Sequence, residues 1–94
     1  MYKTNPNMII EDTTADEIIM YDTENKNTII LNFTAKMLYE NFVNSDYTSG
    51  LNQYLNTASN IFNKDTSELV KDANDTYEYL LKNNILVNDT AVRC

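Results

Sequence analysis

The chain has 94 residues, of which 43% are hydrophobic, so it is long enough for one domain with a modest core and too short for two. Its 14 acidic and seven basic residues give a formal net charge of -7, which disfavours binding to nucleic-acid phosphates because that binding depends on basic residues. Histidine is absent and the only cysteine is Cys94, which excludes an intrachain disulfide and a His/Cys metal site. The sequence predicts no cofactor, although a metal site of oxygen ligands alone stays open without a motif for it.

The N-terminal residues give no sign of a targeting segment. Residues 1 to 6 lack the apolar stretch of a signal peptide, and no run approaches the roughly 20 apolar residues that a membrane-spanning helix needs. We therefore expect a cytoplasmic protein with no membrane partner.

Three short apolar runs, separated by polar stretches, predict three strands. The runs are residues 8 to 10, 17 to 21 and 28 to 31. Asn and Asp between the second and third runs tolerate turn conformations, so we expect an antiparallel meander. Directly after the third strand, Asn32 is a good helix N-cap, and the apolar residues change there from strand to helix spacing.

Apolar residues at helical spacing then predict three helices. The first spans about residues 33 to 43, and the second begins at a cap on Thr48. The third runs from a capping box of Asp65 and Glu68 to about Asn83. Its wide apolar stripe is expected to contact two surfaces and consists of Leu69, Val70, Ala73, Tyr77, Leu80 and Leu81.

The order β-β-β-α-α-α predicts an α+β fold of winged-helix-like type, with a three-stranded antiparallel sheet followed by a three-helix bundle. We expect a single domain over residues 1 to 94, with its core at about residues 8 to 87. After a left-handed turn at Asn83 and Asn84, residues 85 to 87 should pack back on the domain, and residues 88 to 94 should form a frayed tail.

Two functional alternatives are disfavoured by the charges. A winged-helix DNA-binding or protein-interaction regulator is the first, because such domains often place a helix in the major groove of DNA. However, the second helix has no charged side chain, and the third has two lysines against four acidic residues. An enzyme is the second alternative, but a solvated helix face explains carboxylates such as Asp72 and Asp75. We therefore predict a non-catalytic protein.

The third predicted strand favours peptide binding. In a meander it lies at a sheet edge, whose unpaired amides and carbonyls are a template for one more strand. Ile29 and Leu31 point to one face and Ile30 to the other, and three helices can cover only one face well. A purely structural alternative, in which Ile30 packs with Ile19 and Leu86, stays open from composition alone.

Short motifs, in order along the chain, resemble the PqqD family. They are Thr28-Ile29-Ile30-Leu31-Asn32-Phe33-Thr34-Ala35, Tyr47-Thr48, Asp72-Ala73, Thr76-Tyr77, Leu80 and Asn84-Ile85-Leu86. The family pattern is an apolar strand running into Leu-Asn-x-Thr-Ala, a threonine-capped helix, and Asp-Val-x-x-Phe-Leu-x-x-Leu-x-x-x-Gly-Leu-Leu near the end. The resemblance covers about residues 8 to 87. Phe33, Tyr39 and Asn84 depart from the usual proline, tryptophan and glycine, and Asn84 tolerates the same left-handed turn.

The resemblance implies a recognition element for ribosomally made, enzymatically modified precursor peptides (RiPPs). Such an element binds the leader segment of the precursor as a strand between its third strand and third helix. The resemblance assigns backbone hydrogen bonds to Thr28, Ile29, Ile30 and Leu31. It assigns the opposing wall to Val70, Ala73, Asn74, Tyr77 and Leu81. Three acidic residues, Asp72, Asp75 and Glu78, are expected at the rim, where Lys or Arg of the leader would pair with them.

The resemblance also implies the partners. We expect a leader peptide and a modifying enzyme, which is most often a radical S-adenosylmethionine (SAM) maturase of the SPASM kind in this family, with a lasso-pathway leader peptidase as the main alternative. No nucleic-acid partner is expected. Because an exposed strand edge can also pair with a second copy, a homodimer stays open.

Overall fold

The structure, a computed structural model, describes residues 1–88 and has an α+β fold. In chain order its elements are β1 (Tyr2–Thr4), β2 (Met8–Thr13), β3 (Ile18–Asp22), β4 (Asn27–Leu31), α1 (Phe33–Phe42), α2 (Tyr47–Ile61), α3 (Thr66–Lys82) and β5 (Leu86–Asn88). The predicted three-stranded antiparallel sheet followed by three helices is confirmed. Of the predicted tail, Asn88 is the last residue of β5, and the rest lies outside the described residues.

The three-stranded sheet has the order β2-β3-β4, with each strand antiparallel to its neighbour. Its β2 strand extends to Thr13, three residues further than the apolar run predicts, and contains an irregularity between Ile10 and Asp12. The polar residues of this extension are exposed, and an edge strand needs only its backbone to pair with β3. A polar stretch therefore does not end this strand.

A tight turn between β3 and β4 positions the edge strand β4. Lys26 has a left-handed backbone, with φ of 57°, and its amide donates to the Asp22 carbonyl over 2.7 Å. The Asp22 carboxylate accepts from the side-chain amide of Asn25 at 2.9 Å and from the backbone amides of Glu24 and Asn25 at 2.9 and 3.1 Å. The bond from the Asn25 side chain, and then that from its backbone amide, lower the pKa of Asp22 below its ordinary value. The side chain of one buried aspartate thus orders the turn that aligns β3 with β4.

A two-stranded pair at the other end of the chain is not predicted from the sequence. The β1 strand pairs with β5, with Thr4 opposite Leu86. Residues 85 to 87 do return to the domain as expected, and Ile85 and Leu86 are buried. The first strand has only three residues, so no alternation of apolar and polar side chains marks it.

The helix starts agree with the sequence at α1 and differ in detail at α2 and α3. Asn32 caps α1, because its Oδ1 accepts from the Ala35 amide at 2.9 Å. The predicted cap of α2 on Thr48 is wrong: Asp46 Oδ1 accepts from the Ser49 amide at 2.7 Å, so the cap lies two residues earlier and the helix begins at Tyr47. Asp65 precedes α3 as predicted, but its side chain forms no capping hydrogen bond. Asn84 adopts the expected left-handed conformation, with φ of 57°.

The hydrophobic core lies between one face of the sheet and the three helices. The sheet contributes the alternating residues Ile18, Met20, Ile29 and Leu31, which are all buried. Helices contribute residues that include Leu38, Phe42, Tyr54, Ala58, Leu69, Ala73 and Leu80. On the other face of the sheet, the side chains of Ile9 and Ile30 are 53% and 57% exposed. The helices therefore cover one face of the sheet, and β4 is the edge strand on one side of it.

Candidate functional site

The free edge of the sheet is the first component of the site. β4 is the last strand in the order β2-β3-β4, so among residues 1–88 no strand pairs with its second side. Its side chains alternate, with Ile29 and Leu31 buried toward the helices and Ile30 exposed on the other face. Ile30 lies opposite Ile19 in the register, whereas Leu86 is buried in β5, so the packing of Ile30 with Leu86 is not observed. The backbone groups at such an edge are available for a further strand.

A groove of about 520 Å³ lies beside this edge and is open to solvent. One side is formed by Ile30 of β4, Asn32, and the first turn of α1 with Thr34 and Ala35. The opposite wall is α3, which contributes Asp72, Asp75, Thr76 and Tyr79. These four residues follow the helical spacing i, i+3, i+4, i+7, so they form one continuous stripe along α3. The groove therefore has a strand edge on one side and a polar helix face on the other.

The wall of the groove is acidic. Asp72 forms an ion pair with Lys64, whose Nζ lies 3.3 Å from the Asp72 Oδ2. Burial raises the pKa of Tyr54 above its ordinary value, and the negative charge of Asp72 raises it further. Among residues 1–88, no basic side chain forms an ion pair with Asp75, so the wall keeps a net negative charge.

Of the four expected strand residues, the structure brings only Ile30 to the groove, because Ile29 and Leu31 are buried in the core and Thr28 does not line it. The expected helix residues are turned away from the groove. Ala73 is fully buried in the core, and Tyr77 packs against the rings of Phe42 and Tyr47 at centroid distances of 5.2 and 4.9 Å. Asn74 accepts a hydrogen bond from the Tyr47 hydroxyl. Val70 and Leu81 are half-buried, and neither residue lines the groove.

The acidic residues also differ from their expected places. Asp72 and Asp75 lie in the wall itself rather than at its rim, and Glu78 is exposed on α3 and does not line the groove. The physical reason is the cost of burying an unpaired carboxylate. The stripe with Asp72 and Asp75 therefore faces the open groove, while the aromatic stripe with Tyr77 packs inside.

Five groove residues were not predicted from the sequence as site residues: Asn32, Thr34, Ala35, Thr76 and Tyr79. A signal for two of them existed. Thr76 and Tyr79 each follow one of the two aspartates by four residues, Thr76 after Asp72 and Tyr79 after Asp75, so they share its helix face. Asn32 is predicted as a helix cap and as part of the motif from Thr28 to Ala35, but not as a groove residue. Its cap position leads the chain from β4 into the first turn of α1, which lines the groove.

The chain was compared with protein-family models, with curated proteins and with solved structures. None of the three comparisons finds a match. Among the described residues, no group of three or more His, Cys, Asp or Glu side chains is arranged to hold a metal ion. The helices of residues 1–88 include none that combines the length and hydrophobicity for a membrane span.

Proposed function

We propose that this protein is a non-catalytic peptide-binding module that recognises the leader segment of a ribosomally made precursor peptide. The observation that carries the proposal is the free edge of β4 beside a groove about 520 Å³ in volume. Strand addition needs both parts, since backbone hydrogen bonds provide affinity and pockets for alternate side chains provide specificity.

The bound peptide would extend the sheet as a fourth strand. Its backbone would pair with β4 through residues 28 to 31, where the edge amides and carbonyls have no strand partner in the described chain. Its side chains would alternate, one set facing α3 and the other lying beside Ile30 on the open face. A peptide bound in this way is held in an extended form, which suits its presentation to a second protein.

The proposed biological setting follows from the resemblance to the PqqD family. In this setting the domain is winged-helix-like and delivers the leader to a modifying enzyme, either a radical SAM maturase or a lasso-type leader peptidase. The protein itself needs no cofactor for this role. Pairing of β4 with β4 of a second copy would occupy the same edge, so a homodimer and the peptide complex would exclude each other.

The proposal is tested by searching the genes beside this one for a short precursor peptide and synthesising its leader. Fluorescence anisotropy with the labelled leader would compare the wild-type protein with Ile30→Lys and Ile9→Lys. Both isoleucines are exposed on the same face of the sheet, but Ile9 lies on the opposite edge strand β2. A lysine on an edge strand hinders strand addition, so we expect Ile30→Lys to weaken binding about tenfold, equal to about 1.4 kcal/mol.

Ile9→Lys should bind the leader like the wild-type protein, and circular dichroism should show that both variants are folded. Amide chemical shifts of residues 28 to 31 should move when the leader is added. Unchanged affinity in Ile30→Lys, with no shift at these amides, would exclude strand addition at β4. Operator-dependent binding to duplex DNA in place of leader binding would instead favour the winged-helix alternative.

A further inference from the structure

We infer that the groove selects a peptide strand with one lysine or arginine facing α3, between two apolar, β-branched residues on the open face of the sheet. The inference rests on the proposed strand addition at β4 and names the class of peptide that binds there. Two groups determine it: Asp75 with Tyr79 on the helix wall, and Ile30 on the strand edge.

The helix wall offers a place for one cationic side chain. Asp75 and Tyr79 are four residues apart on α3 and line the same groove, so their side chains are neighbours on one helix face. Asp75 is exposed, and Tyr79 is 43% exposed. A carboxylate beside an aromatic ring attracts a guanidinium or ammonium group, through an ion pair and through the negative face of the ring.

The neighbouring carboxylate already holds a cation from the chain itself. Lys64 lies 3.3 Å from Asp72, and this pair satisfies one of the two acidic groups in the wall. Within the described part of the chain, Asp75 has no equivalent partner. The groove is therefore complementary to one further positive charge, and the formal net charge of -7 favours the approach of a basic peptide.

The strand edge determines the residues on either side of the cation. Consecutive side chains of a strand point to opposite faces of the sheet, so the neighbours of an inward residue lie on the open face. There one of them extends the cross-strand row formed by Ile19 and Ile30, and the other is a diagonal neighbour of Ile30. Apolar and β-branched pairs stabilise such a row, whereas a charged residue beside Ile30 would have no polar partner there. The selected pattern is apolar, basic, apolar.

The inference is tested with three labelled ten-residue peptides that differ at one position. Each has the central sequence Thr-Val-X-Val-Thr, where X is arginine, glutamine or glutamate. Titrations would use the wild-type protein, Asp75→Asn, Asp75→Lys and Glu78→Gln. Glu78→Gln is the matched control, because it removes the same charge from an exposed position of α3 that does not line the groove.

The wild-type protein should bind the arginine peptide about fivefold more tightly than the glutamine peptide, the size of one partly exposed ion pair. Asp75→Asn should abolish this preference, and Glu78→Gln should keep it. Asp75→Lys should bind the glutamate peptide more tightly than the arginine peptide. Such a reversal requires that residue 75 and position X lie next to each other.

Two results would overturn the inference, and they differ in what they mean for the proposed function. Equal affinities for the arginine and glutamine peptides, with amide shifts at residues 28 to 31 for both, would exclude selection of a basic residue at position X. Strand addition at β4 would still stand. Equal effects of Asp75→Asn and Glu78→Gln would show general charge attraction, which would also exclude specific selection at Asp75 and leave strand addition intact. If neither these peptides nor the encoded leader perturbs the β4 amides, the inference and strand addition both fail.

Discussion

The hydroxyl groups of Tyr77 and Tyr2 form a hydrogen bond that joins α3 to β1, across 75 positions of the sequence. Their rings meet edge to face, with centroids 5.6 Å apart. Burial raises the pKa of Tyr77 above its ordinary value, and the bond to Tyr2 raises it further. Because Phe42 and Tyr47 pack on the same ring, Tyr77 is the centre of an aromatic cluster that holds the N-terminal strand, both ends of the α1–α2 connection and α3 together.

Two tyrosines on α3 are therefore expected to have separate roles. Tyr77→Ala should lower the free energy of unfolding by about 3 kcal/mol, at the lower end of the range for aromatic truncations, because the ring is partly buried and packs against the core. Tyr79→Ala should change it by no more than about 0.5 kcal/mol, because the side chain is substantially exposed. Urea unfolding followed by circular dichroism measures both values.

Substitutions at the same two positions separate stability from binding. Tyr79→Ala should lower the affinity for the arginine peptide about threefold, which is the effect of losing a cation–aromatic contact at an exposed site. Tyr77→Leu keeps an apolar side chain and should bind the peptide normally wherever it is folded. Loss of peptide affinity in folded Tyr77→Leu, with none in Tyr79→Ala, would contradict the assignment of the groove wall.

The only glycine of the chain, Gly50, lies where α1 and α2 approach each other. A Cβ at this position would overlap Cδ1 of Phe42 and would lie 3.1 Å from the Asn41 carbonyl oxygen. Gly50→Ala should thus destabilise the protein by about 1 kcal/mol, because overpacking costs about 1–3 kcal/mol and exceeds the gain of about 1 kcal/mol in helix propensity. Thermal unfolding measures the change.

Asn52→Ala is the control for helix propensity, since Asn52 is exposed in the same helix. It should stabilise the protein by about 0.5 kcal/mol. An increase in melting temperature for both alanine variants would mean that Phe42 moves aside at little cost, despite its contacts with three tyrosine rings.

The features of the fold and of the candidate site that the sequence predicts are those that depend on residues close together in the chain. The β4 strand was predictable because its apolar, mostly β-branched run and the Asn32 cap are adjacent in the sequence. The wall of the groove was not, because α3 has a wide apolar stripe and the sequence does not say which part of it faces β4. Tyr77 is drawn to the other side by Tyr2, Phe42 and Tyr47, and none of these contacts is local.

The missed strand has the same explanation. Tyr2–Thr4 is three residues long, and its partner β5 lies at the far end of the described chain. Its pairing depends on where α3 ends and on the left-handed turn at Asn84 that returns the chain. Local propensity predicts that turn but not the strand it brings into contact.

Removing the internal cation of the groove should increase its affinity for a basic peptide. Lys64→Gln frees the Asp72 carboxylate, so we expect about threefold tighter binding of the arginine peptide at low salt. The gain should shrink as salt rises, because the screening length falls to about 8 Å at physiological ionic strength. Lys71→Gln removes an equal charge from α3 outside the groove and should give a smaller gain. Equal gains for the two variants would exclude a specific effect of the Lys64–Asp72 pair.

Acid should destabilise the protein partly through the N-cap of α2. The hydrogen bond from the Ser49 amide lowers the pKa of Asp46 below its ordinary value. A carboxyl group whose pKa is lower in the folded than in the unfolded protein adds stability above the unfolded pKa, and this stability is lost as the pH falls through the folded pKa. The free energy of unfolding should therefore fall below about pH 4.

Asp46→Asn keeps a good cap but cannot titrate, so it should match the wild-type protein at pH 7 and show a shallower fall in the free energy of unfolding in acid. Asp65→Asn, at the N-cap of α3 where the side chain makes no capping bond, should retain the full wild-type slope. Urea unfolding at pH 7, 4 and 3 measures how steeply the free energy of unfolding falls with pH in the three proteins. Equal slopes for wild type and Asp46→Asn would exclude a contribution of this cap to acid destabilisation.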